Sequence, residues 1–245
     1  MKTAVISDIH GNFQALASVM ADFQQQGCKK VLCLGDYDMA GPQPRKVLEY
    51  IMNKGQDWYM IKGNTDKMIT DFDLKMYEKL NQKFPIMANA LLDDVDIIEK
   101  EKKEFLASLP ERKEVMIEGV STLMVHGSPR KINEDILPNM RISEIQEMIM
   151  DETADLILCG HTHVPCGYQT MTKQTVVNVG SVGRPMTGTP KANYAIIDFN
   201  SGTFTVEHRS VEYDYMLAAE LVRARGFEGS TELADQLIMP ILRHL

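Results

Sequence analysis

Residues that commonly bind metal ions stand directly after five short apolar runs in this sequence. They are Asp8 and His10 after TAVIS (3–7), Asp36 after VLCL (31–34), Asn64 after WYMI (58–61), His126 after STLMV (121–125), and His161 and His163 after LILC (156–159). A glycine beside most of them allows the chain to turn sharply. Carboxylate oxygens and imidazoles without a thiolate suit Mn²⁺, Fe or Zn²⁺ and argue against a closed structural zinc site. The pattern therefore predicts an open metal centre.

Seven ligands are too many for one metal ion. With Asp36 bridging, they predict two ions about 3.5–4 Å apart, with positions left for water and substrate. Two such ions polarise a phosphoryl oxygen and generate hydroxide near neutral pH, so no serine or cysteine nucleophile is needed. The chemistry that follows is in-line attack on a phosphate ester, and the metals would supply the positive charge that an anionic substrate requires.

Each of these residues, taken alone, also has a structural explanation. Asp8 and His10 can cap a helix, Gly-Asp and Gly-Asn pairs can form turns, and a lone histidine such as His126 is often a packing residue. Because ligands bind outside the carboxyl ends of strands in open α/β sheets, five such ends can converge on one crevice. This coincidence favours a metal centre. His208 and His244 fall outside the pattern and are interpreted as surface or packing residues.

The elements that must position these side chains follow from hydrophobic periodicity. In the first half, short β-branched runs alternate with helical patterns at 13–26 and 43–54, which predicts right-handed βαβ crossovers and a mainly parallel sheet. After Pro110, strands with short links predominate. Further helices are expected at about 65–110, 142–151, 213–225 and 231–243. We therefore predict an α/β (α+β) fold in which two mixed sheets pack face to face with helices outside, as a single domain over residues 1–245.

Composition limits the range of partners and compartments. The 245 residues include 26 Lys+Arg and 34 Asp+Glu, a formal net charge of −8. This disfavours non-specific binding to nucleic acid or to an anionic membrane, although a local basic groove stays open. The N-terminus has no apolar core of a signal peptide, no apolar run is long enough to span a bilayer, and the four cysteines match no zinc spacing. We expect a reduced, cytoplasmic protein.

Five ordered motifs carry a resemblance to a known family. They are D-x-H-G-N (8–12), G-D-(x)n-G (35–41), G-N-x-D (63–66), H-G (126–127) and G-H-T-H (160–163). Together they resemble the calcineurin-like metallophosphoesterase superfamily. The stretches GDYDMAGPQP, HGSPR (126–130) and VNVGSVGRP (177–185) are more similar to its small bacterial and archaeal phosphodiesterase branch. The resemblance implies a four-layer αββα sandwich, in agreement with the two predicted sheets.

The resemblance also implies roles for individual residues. A first metal would be held by Asp8, His10 and His163 with Asp36 bridging, and a second metal by Asn64, His126 and His161. Asp36, Asn64 and His126 would act most directly in catalysis. The favoured metal is Mn, with Fe, Zn, Ni or Co as alternatives.

Substrate contacts are implied for a further set of residues. They are Asn64, Tyr37, Arg130, Asn178, Gly180, Ser181 and Arg184. Alternatives stay open for three of them, because Tyr37 can simply pack, and Arg130 and Arg184 can equally be surface arginines. The segment 129–140 is a candidate lid.

Thr65 departs from a pattern common among relatives, which carry histidine after the asparagine of G-N. Threonine cannot act as a general acid at neutral pH. We therefore expect preference for good leaving groups, such as aryl or nucleoside phosphodiesters and phosphoanhydrides, or a different proton donor.

The leading prediction is a dinuclear-metal phosphodiesterase that acts on a small-molecule phosphate ester or nucleotide. One alternative is a phosphatase acting on dinucleoside polyphosphates or phosphoproteins. A second is a non-catalytic scaffold, which the presence of all seven ligands disfavours. Nucleic acid is not favoured as a partner, no membrane is expected, and a homo-oligomer stays open.

Overall fold

Two five-stranded mixed sheets face each other in the computed structural model, which describes residues 1–243. His244, interpreted above as a surface or packing residue, and Leu245 lie outside the described residues. The strands are β1 (Lys2–Ile6), β2 (Lys30–Cys33), β3 (Trp58–Met60), β4 (Arg112–Ile117), β5 (Val120–Val125), β6 (Leu156–Cys159), β7 (Cys166–Gln169), β8 (Thr175–Asn178), β9 (Lys191–Asn200) and β10 (Thr203–Glu212). The helices are α1 (Phe13–Gln25), α2 (Pro44–Met52), α3 (Asn64–Thr70), α4 (Leu74–Lys83), α5 (Pro85–Ile97), α6 (Lys100–Ser108), α7 (Ile142–Met148), α8 (Tyr215–Arg225) and α9 (Ser230–Ile238).

Parallel strands form the middle of both sheets. The first sheet has the order β10-β9-β1-β2-β3, in which β1, β2 and β3 are parallel and the β9–β10 hairpin is antiparallel. The second sheet has the order β4-β5-β6-β8-β7, in which β5, β6 and β8 are parallel and β4 and β7 are antiparallel edge strands. The parallel strands of each sheet therefore end at one edge, as expected from the alternating pattern.

Three buried clusters define four layers. Alternate residues of a strand point to opposite faces, so Val5 of β1 packs between the two sheets while Ile6 packs under the helices on the outer face of the first sheet. On the outer face of the second sheet, Ile157 packs with Ile145 of α7. The predicted αββα sandwich is confirmed.

Two elements differ from the sequence-based expectation. The edge strand β7 was not predicted, because its sequence CGYQ has no apolar run. Helix α9 ends at Ile238 and not near residue 243, since Pro240 cannot continue a helix. The organisation as one domain over 1–245 stays a prediction. Within residues 1–243, none of the helices combines the length and apolar character needed to cross a membrane.

Candidate metal centre

Predicted ligands from both sheets meet at the carboxyl ends of their parallel strands. The ligand atoms of Asp8, His10 and His163 lie within 4.8 Å of one another, and so do those of Asp8, Asp36 and His126. All five residues are buried. Asp8 belongs to both groups, so the two groups adjoin each other. The first group contains the three ligands predicted for a first metal, without the bridging Asp36.

The backbone at this edge adopts a conformation that is uncommon for residues other than glycine. Five predicted ligands have positive φ angles between 47° and 65°, namely Asp8, His10, Asp36, His161 and His163. Left-handed backbone at non-glycine residues costs free energy and persists at functional sites only where the surrounding structure holds it. The sharp turns after the strands thus aim these side chains into one crevice.

Two glycines make the close approach of these loops possible. A β-carbon on Gly63 would lie 2.0 Å from Asp36 Oδ1, and one on Gly160 would lie 2.5 Å from Asp8 Oδ2. Both distances are far below van der Waals contact. Any side chain at either position would therefore displace a carboxylate of the centre.

Backbone carbonyls fix the orientation of three histidines. His10 Nδ1 lies 2.9 Å from the Met39 carbonyl, His126 Nδ1 lies 2.7 Å from Leu34, and His163 Nδ1 lies 2.6 Å from Arg184. A ring N–H donated at Nδ1 leaves the Nε2 lone pair for a metal, and such outer contacts are typical of metal-binding histidines.

The atoms that face the crevice lack partners that would satisfy them. His10 Nε2 lies 3.1 Å from His163 Nε2, so two lone pairs face each other when both Nδ1 atoms donate. Asp8 Oδ1 and His126 Nε2 are buried without a hydrogen bond of good geometry in the described chain, although His163 Nε2 lies 3.1 Å from the first and Asp36 Oδ2 lies 3.2 Å from the second. Asn64 Oδ1 is also buried without a hydrogen-bond partner there. Buried polar atoms are normally satisfied. Bound cations would satisfy these atoms, so the donor set fits a metal centre.

Charges within the centre shift its pKa values in opposite directions. Burial would raise the pKa of the Asp8 carboxyl, but His163 and His126 hold it well below its usual range. Burial would lower the pKa of His126, but Asp36 and Asp8 raise it to about 10. Burial and the neighbouring His163 lower the pKa of His10 to about 4. A protonated His126 must release its proton before Nε2 can bind a metal.

The remaining predicted ligands lie beside these two groups. The His161 ring is 5.4 Å from that of His126, between centroids, and its Nε2 lies 3.3 Å from Asp135 Oδ1. The backbone N–H of His161 donates to Asp8 Oδ2 at 3.0 Å. Asn64 begins α3, directly after β3. The structure thus groups five of the seven predicted ligands and places the His161 ring beside that of His126. Asn64 directly precedes Thr65, whose N–H donates to Asp36 Oδ1. His161 also pairs with Asp135, a carboxylate that was not predicted.

Asp66 holds two of the ligand-bearing loops together, and it had no predicted role. Its Oδ2 accepts from the backbone N–H of Asp36 and of Gly63, each at 2.8 Å, and its Oδ1 accepts from Tyr37 at 2.9 Å. The G-N-x-D motif contained this residue, so a sequence signal existed. Its contacts show that it positions the loop that carries Asp36.

A buried ion pair supports the loop that orients His10. Asp94 Oδ2 accepts from the Ala40 N–H at 3.0 Å, while Arg225 donates to Asp94 Oδ1 at 2.5 Å and to the Gly41 carbonyl at 2.6 Å. Met39 and Ala40 have φ of 86° and 67°. These contacts hold a strained loop whose Met39 carbonyl faces His10, and no local sequence pattern indicated them.

Three side chains expected to contact substrate are fully buried. Tyr37 is fully buried and donates to the Ile61 carbonyl at 2.9 Å, so it packs. The buried Asn178 amide donates to Gly160 and Thr162, and Ser181 Oγ donates to the Asp8 carbonyl at 2.9 Å. The polar groups of these three side chains are used to shape the loops, and their contact with substrate stays a prediction. Gly180, with φ of 76°, lies in the turn between Asn178 and Ser181.

The two candidate phosphate-side arginines differ in their surroundings. Arg130 forms a two-point ion pair with Glu134, at 3.0 and 2.7 Å, so its charge is already neutralised. Arg184 donates to Met87 Sδ and Gln236 Oε1 and has no carboxylate partner within residues 1–243. Burial lowers the pKa of its guanidinium to about 10, so Arg184 stays charged at neutral pH and is the better candidate.

The candidate lid is anchored to the second sheet. Ile136, in the middle of 129–140, is 1% exposed, and its carbonyl accepts from Asn178 Nδ2 at 3.1 Å. Glu134 joins Arg130 from within the same segment. These contacts favour a fixed loop over a free lid.

The Asp38→Asn variant is expected to change how stability depends on pH. Asp38 is fully buried, and neither carboxyl oxygen has a hydrogen-bond partner in the described chain. Burial and then the charge of Asp94 raise the pKa of Asp38 well above its usual range. The protonated Asp38 carboxyl therefore contributes its full stabilisation below about pH 4, the pKa of an aspartate in the unfolded chain. This stabilisation is lost as the pH rises through the pKa of Asp38 in the folded protein.

Asparagine is neutral at every pH, so the variant should gain stability over the wild type as pH increases, by up to about 1.4 kcal/mol per pH unit. Urea unfolding at pH 5, 7 and 9 measures this difference. Asp66 and Asp94 are present in both proteins, but their charges act on Asp38, so the measured difference includes the loss of that repulsion in the variant. Parallel stability profiles would show that Asp38 is ionised in the native state.

Comparison with known proteins agrees with this arrangement. Residues 1–202 match the model of the calcineurin-like phosphoesterase superfamily domain. An uncharacterized protein of Methanocaldococcus jannaschii is 32% identical over 235 residues, covering 89% of this chain and 90% of that protein.

Solved structures show the same fold. A hypothetical protein from Pyrococcus horikoshii superposes with a TM-score of 0.88 at 25% identity, covering 97% of this chain and 98% of the other. A metallophosphoesterase from Sphaerobacter thermophilus superposes with a TM-score of 0.77 at 24% identity, covering 97% of this chain and 98% of the other. The resemblance predicted from five motifs is confirmed, and this chain belongs to the calcineurin-like phosphoesterase superfamily.

Proposed function

We propose that the protein is a metal-dependent phosphoric ester hydrolase, and most specifically a phosphodiesterase with two divalent metal ions. The observation that carries the proposal is the convergence of unsatisfied ligand atoms at the crevice, where the Nε2 atoms of His10 and His163 are 3.1 Å apart. Substrate would be a small-molecule phosphate ester or a nucleotide. We also propose a cytoplasmic location, since all four cysteines are unpaired.

The proposed ligand assignment is the one that the family resemblance implies. Asp8, His10 and His163 would hold one ion, and Asn64, His126 and His161 the other, with Asp36 between them. Bound divalent ions would polarise the phosphoryl oxygen and lower the pKa of water. Hard oxygen and imidazole donors suit Mn²⁺, our favoured metal, with Fe, Zn, Ni and Co as alternatives.

The chain itself would supply orientation and charge. The Met39, Leu34 and Arg184 carbonyls hold the three imidazoles with Nε2 toward the crevice. The guanidinium of Arg184, without a carboxylate partner, would attract the phosphate. Because the chain has a net charge of −8, such local positive charge is needed to bind an anion.

Thr65 is expected to set a preference for good leaving groups. Its Oγ1 donates to the Asp38 carbonyl at 3.0 Å, and the residue is 6% exposed, so it cannot protonate a departing alkoxide. General acid catalysis typically contributes about 10²–10⁴-fold. Aryl phosphodiesters should therefore react faster than alkyl phosphodiesters by roughly two orders of magnitude or more, and faster than alkyl phosphomonoesters.

The test is a screen of purified protein with Mn²⁺, Fe²⁺ or Zn²⁺ against aryl and alkyl mono- and diesters, dinucleoside polyphosphates and a phosphopeptide. Hydrolysis of alkyl monoesters ahead of aryl diesters would contradict the role given to Thr65. Preferential release of phosphate from polyphosphates or the phosphopeptide would favour the phosphatase alternative. If the protein neither retains metal nor hydrolyses any ester, the non-catalytic scaffold is the alternative that is left.

A further inference from the structure

A groove of about 580 Å³ lies along α3 and α4, and none of the predicted metal ligands lines it. We call it the α3–α4 groove. Its apolar lining comes from Met68, Met76, Leu80 and Phe84. The first three pack partly against the core, while Phe84 is 59% exposed. Sites for small ligands commonly have volumes of about 300–1,000 Å³ and apolar walls, so the groove is large enough for one nucleotide.

The rim of the groove carries positive charge that is not neutralised. Lys75, Lys79 and Lys83 line it at four-residue spacing along α4, which places them on one face of the helix. No carboxylate lies within 4.0 Å of these three amino groups in the described chain. The one acidic residue of the lining, Asp73, caps α4 by accepting from Met76 N at 2.6 Å. In a chain of net charge −8, this is a local site for an anion.

Helix α3 links the groove to a predicted metal ligand. Helix α3 starts at Asn64, a predicted ligand, and Met68 of the groove lies four residues later on the same helix. Residues four apart lie on one face of a helix, with Cβ atoms about 5–6 Å apart. The nearest lining residue of the groove is therefore one helical turn from a predicted ligand, a separation that one substituent of a phosphate ester can span.

We propose that the α3–α4 groove binds the nucleoside of a nucleotidyl ester whose reacting phosphate is at the metal centre. The base would lie against Phe84 and the methionines, and the lysines would attract the phosphate oxygens. The proposal rests on the proposed hydrolase function and narrows its substrates to nucleotidyl esters. An exposed aromatic ring beside an apolar wall suits a flat base, because stacking does not require base-specific hydrogen bonds. Lysine supplies charge without fixed geometry, which suits oxygens of the phosphates.

A binding measurement tests the groove without catalysis. AMP is titrated by calorimetry into the full-length protein after its metal has been removed with a chelator. Phe84→Ala should weaken binding roughly tenfold, the loss expected from removing one stacking partner. Lys79→Gln should weaken it about threefold at low salt, and the difference should shrink at high salt. Met116→Ala, on β4 at 70% exposure, and Lys173→Gln are the matched controls.

The proposal is overturned if the wild type does not bind AMP, or if the groove variants bind it as the controls do. A second measurement uses the metal-loaded protein with two esters that share a leaving group, thymidine 5′-(4-nitrophenyl phosphate) and methyl 4-nitrophenyl phosphate. Phe84→Ala should raise KM for the thymidine ester roughly tenfold with little change in kcat, and should leave the methyl ester unaffected. Equal effects of Phe84→Ala on the KM of both esters would also overturn the proposal that the groove binds a nucleoside. If the groove variants weaken AMP binding as expected but neither ester is hydrolysed, the proposed hydrolase function is refuted and the nucleotide site in the groove is supported.

Discussion

Replacing Asp36 by Asn is expected to lower metal-dependent phosphodiester hydrolysis by at least two to three orders of magnitude. Asp36 Oδ2 lies 3.2 Å from His126 Nε2 and 3.8 Å from His10 Nε2, so one carboxylate faces ligands of both proposed ions. Metal-based charge stabilisation contributes several kcal/mol, and about 1.4 kcal/mol corresponds to a factor of ten in rate. Asparagine keeps the shape but loses the charge.

The same variant should retain the fold. Asp36 Oδ1 accepts from the Thr65 N–H at 2.8 Å, and an asparagine oxygen can accept this bond. Elemental analysis should show reduced metal content, and circular dichroism should show an unchanged spectrum. Asp22→Asn is the matched control, because Asp22 pairs with Arg209 and Tyr194 and has no contact with the centre. Wild-type metal content and rate in Asp36→Asn would refute the bridging role.

Replacing Arg225 by Met is expected to lower the free energy of unfolding by about 3–5 kcal/mol, the usual cost of breaking a buried ion pair. The Arg225 side chain is 8% exposed and its partner Asp94 is fully buried, so Met would keep part of the packing but leave a buried carboxylate without its counter-charge. For a chain of this size the melting temperature should fall by roughly 6–20 °C. Thermal unfolding followed by circular dichroism measures this.

Arg223→Met is the control for Arg225, two residues away on α8. Arg223 pairs with Asp235 at 2.5 Å, but the two side chains are 36% and 56% exposed, and exposed pairs contribute about 1 kcal/mol or less. Burial raises the pKa of Asp94 to about 6 even though Arg225 opposes it. The loss in Arg225→Met should therefore be smaller at pH 5, where Asp94 takes up a proton, than at pH 8. Equal losses in the two arginine variants would show that the buried pair is not important.

The Arg225 variant should also bind metal more weakly. Asp94 and Arg225 hold Ala40 and Gly41, and the neighbouring Met39 carbonyl orients His10. Losing an outer contact of this kind commonly costs about 10–100-fold in metal affinity. Calorimetric titration with Mn²⁺ at a temperature where the variant is folded would detect the change. Unchanged affinity would show that Arg225 stabilises the fold without positioning His10.

Much of the fold was predictable because its determinants are local. Apolar runs of four to six residues and helical spacing located nine of the ten strands and the helical regions, and each prediction needed only neighbouring residues. The strand β7 was not predicted because a short edge strand with a glycine has no such apolar run. The turn residues Gly63 and Gly160 were visible as strand-end glycines, although the carboxylates that they approach were not.

The sequence by itself determined the types of the predicted ligands, their order and their positions after strands, because a strand's end and the residue that follows it are properties of a short segment. Only the tertiary structure decided how these residues face one another. The carbonyls that orient His10, His126 and His163, and the pairing of Arg225 with Asp94 across 131 residues, are contacts between distant segments. Tyr37 was ambiguous for the same reason, since burial is set by what packs over a residue and not by its neighbours along the chain.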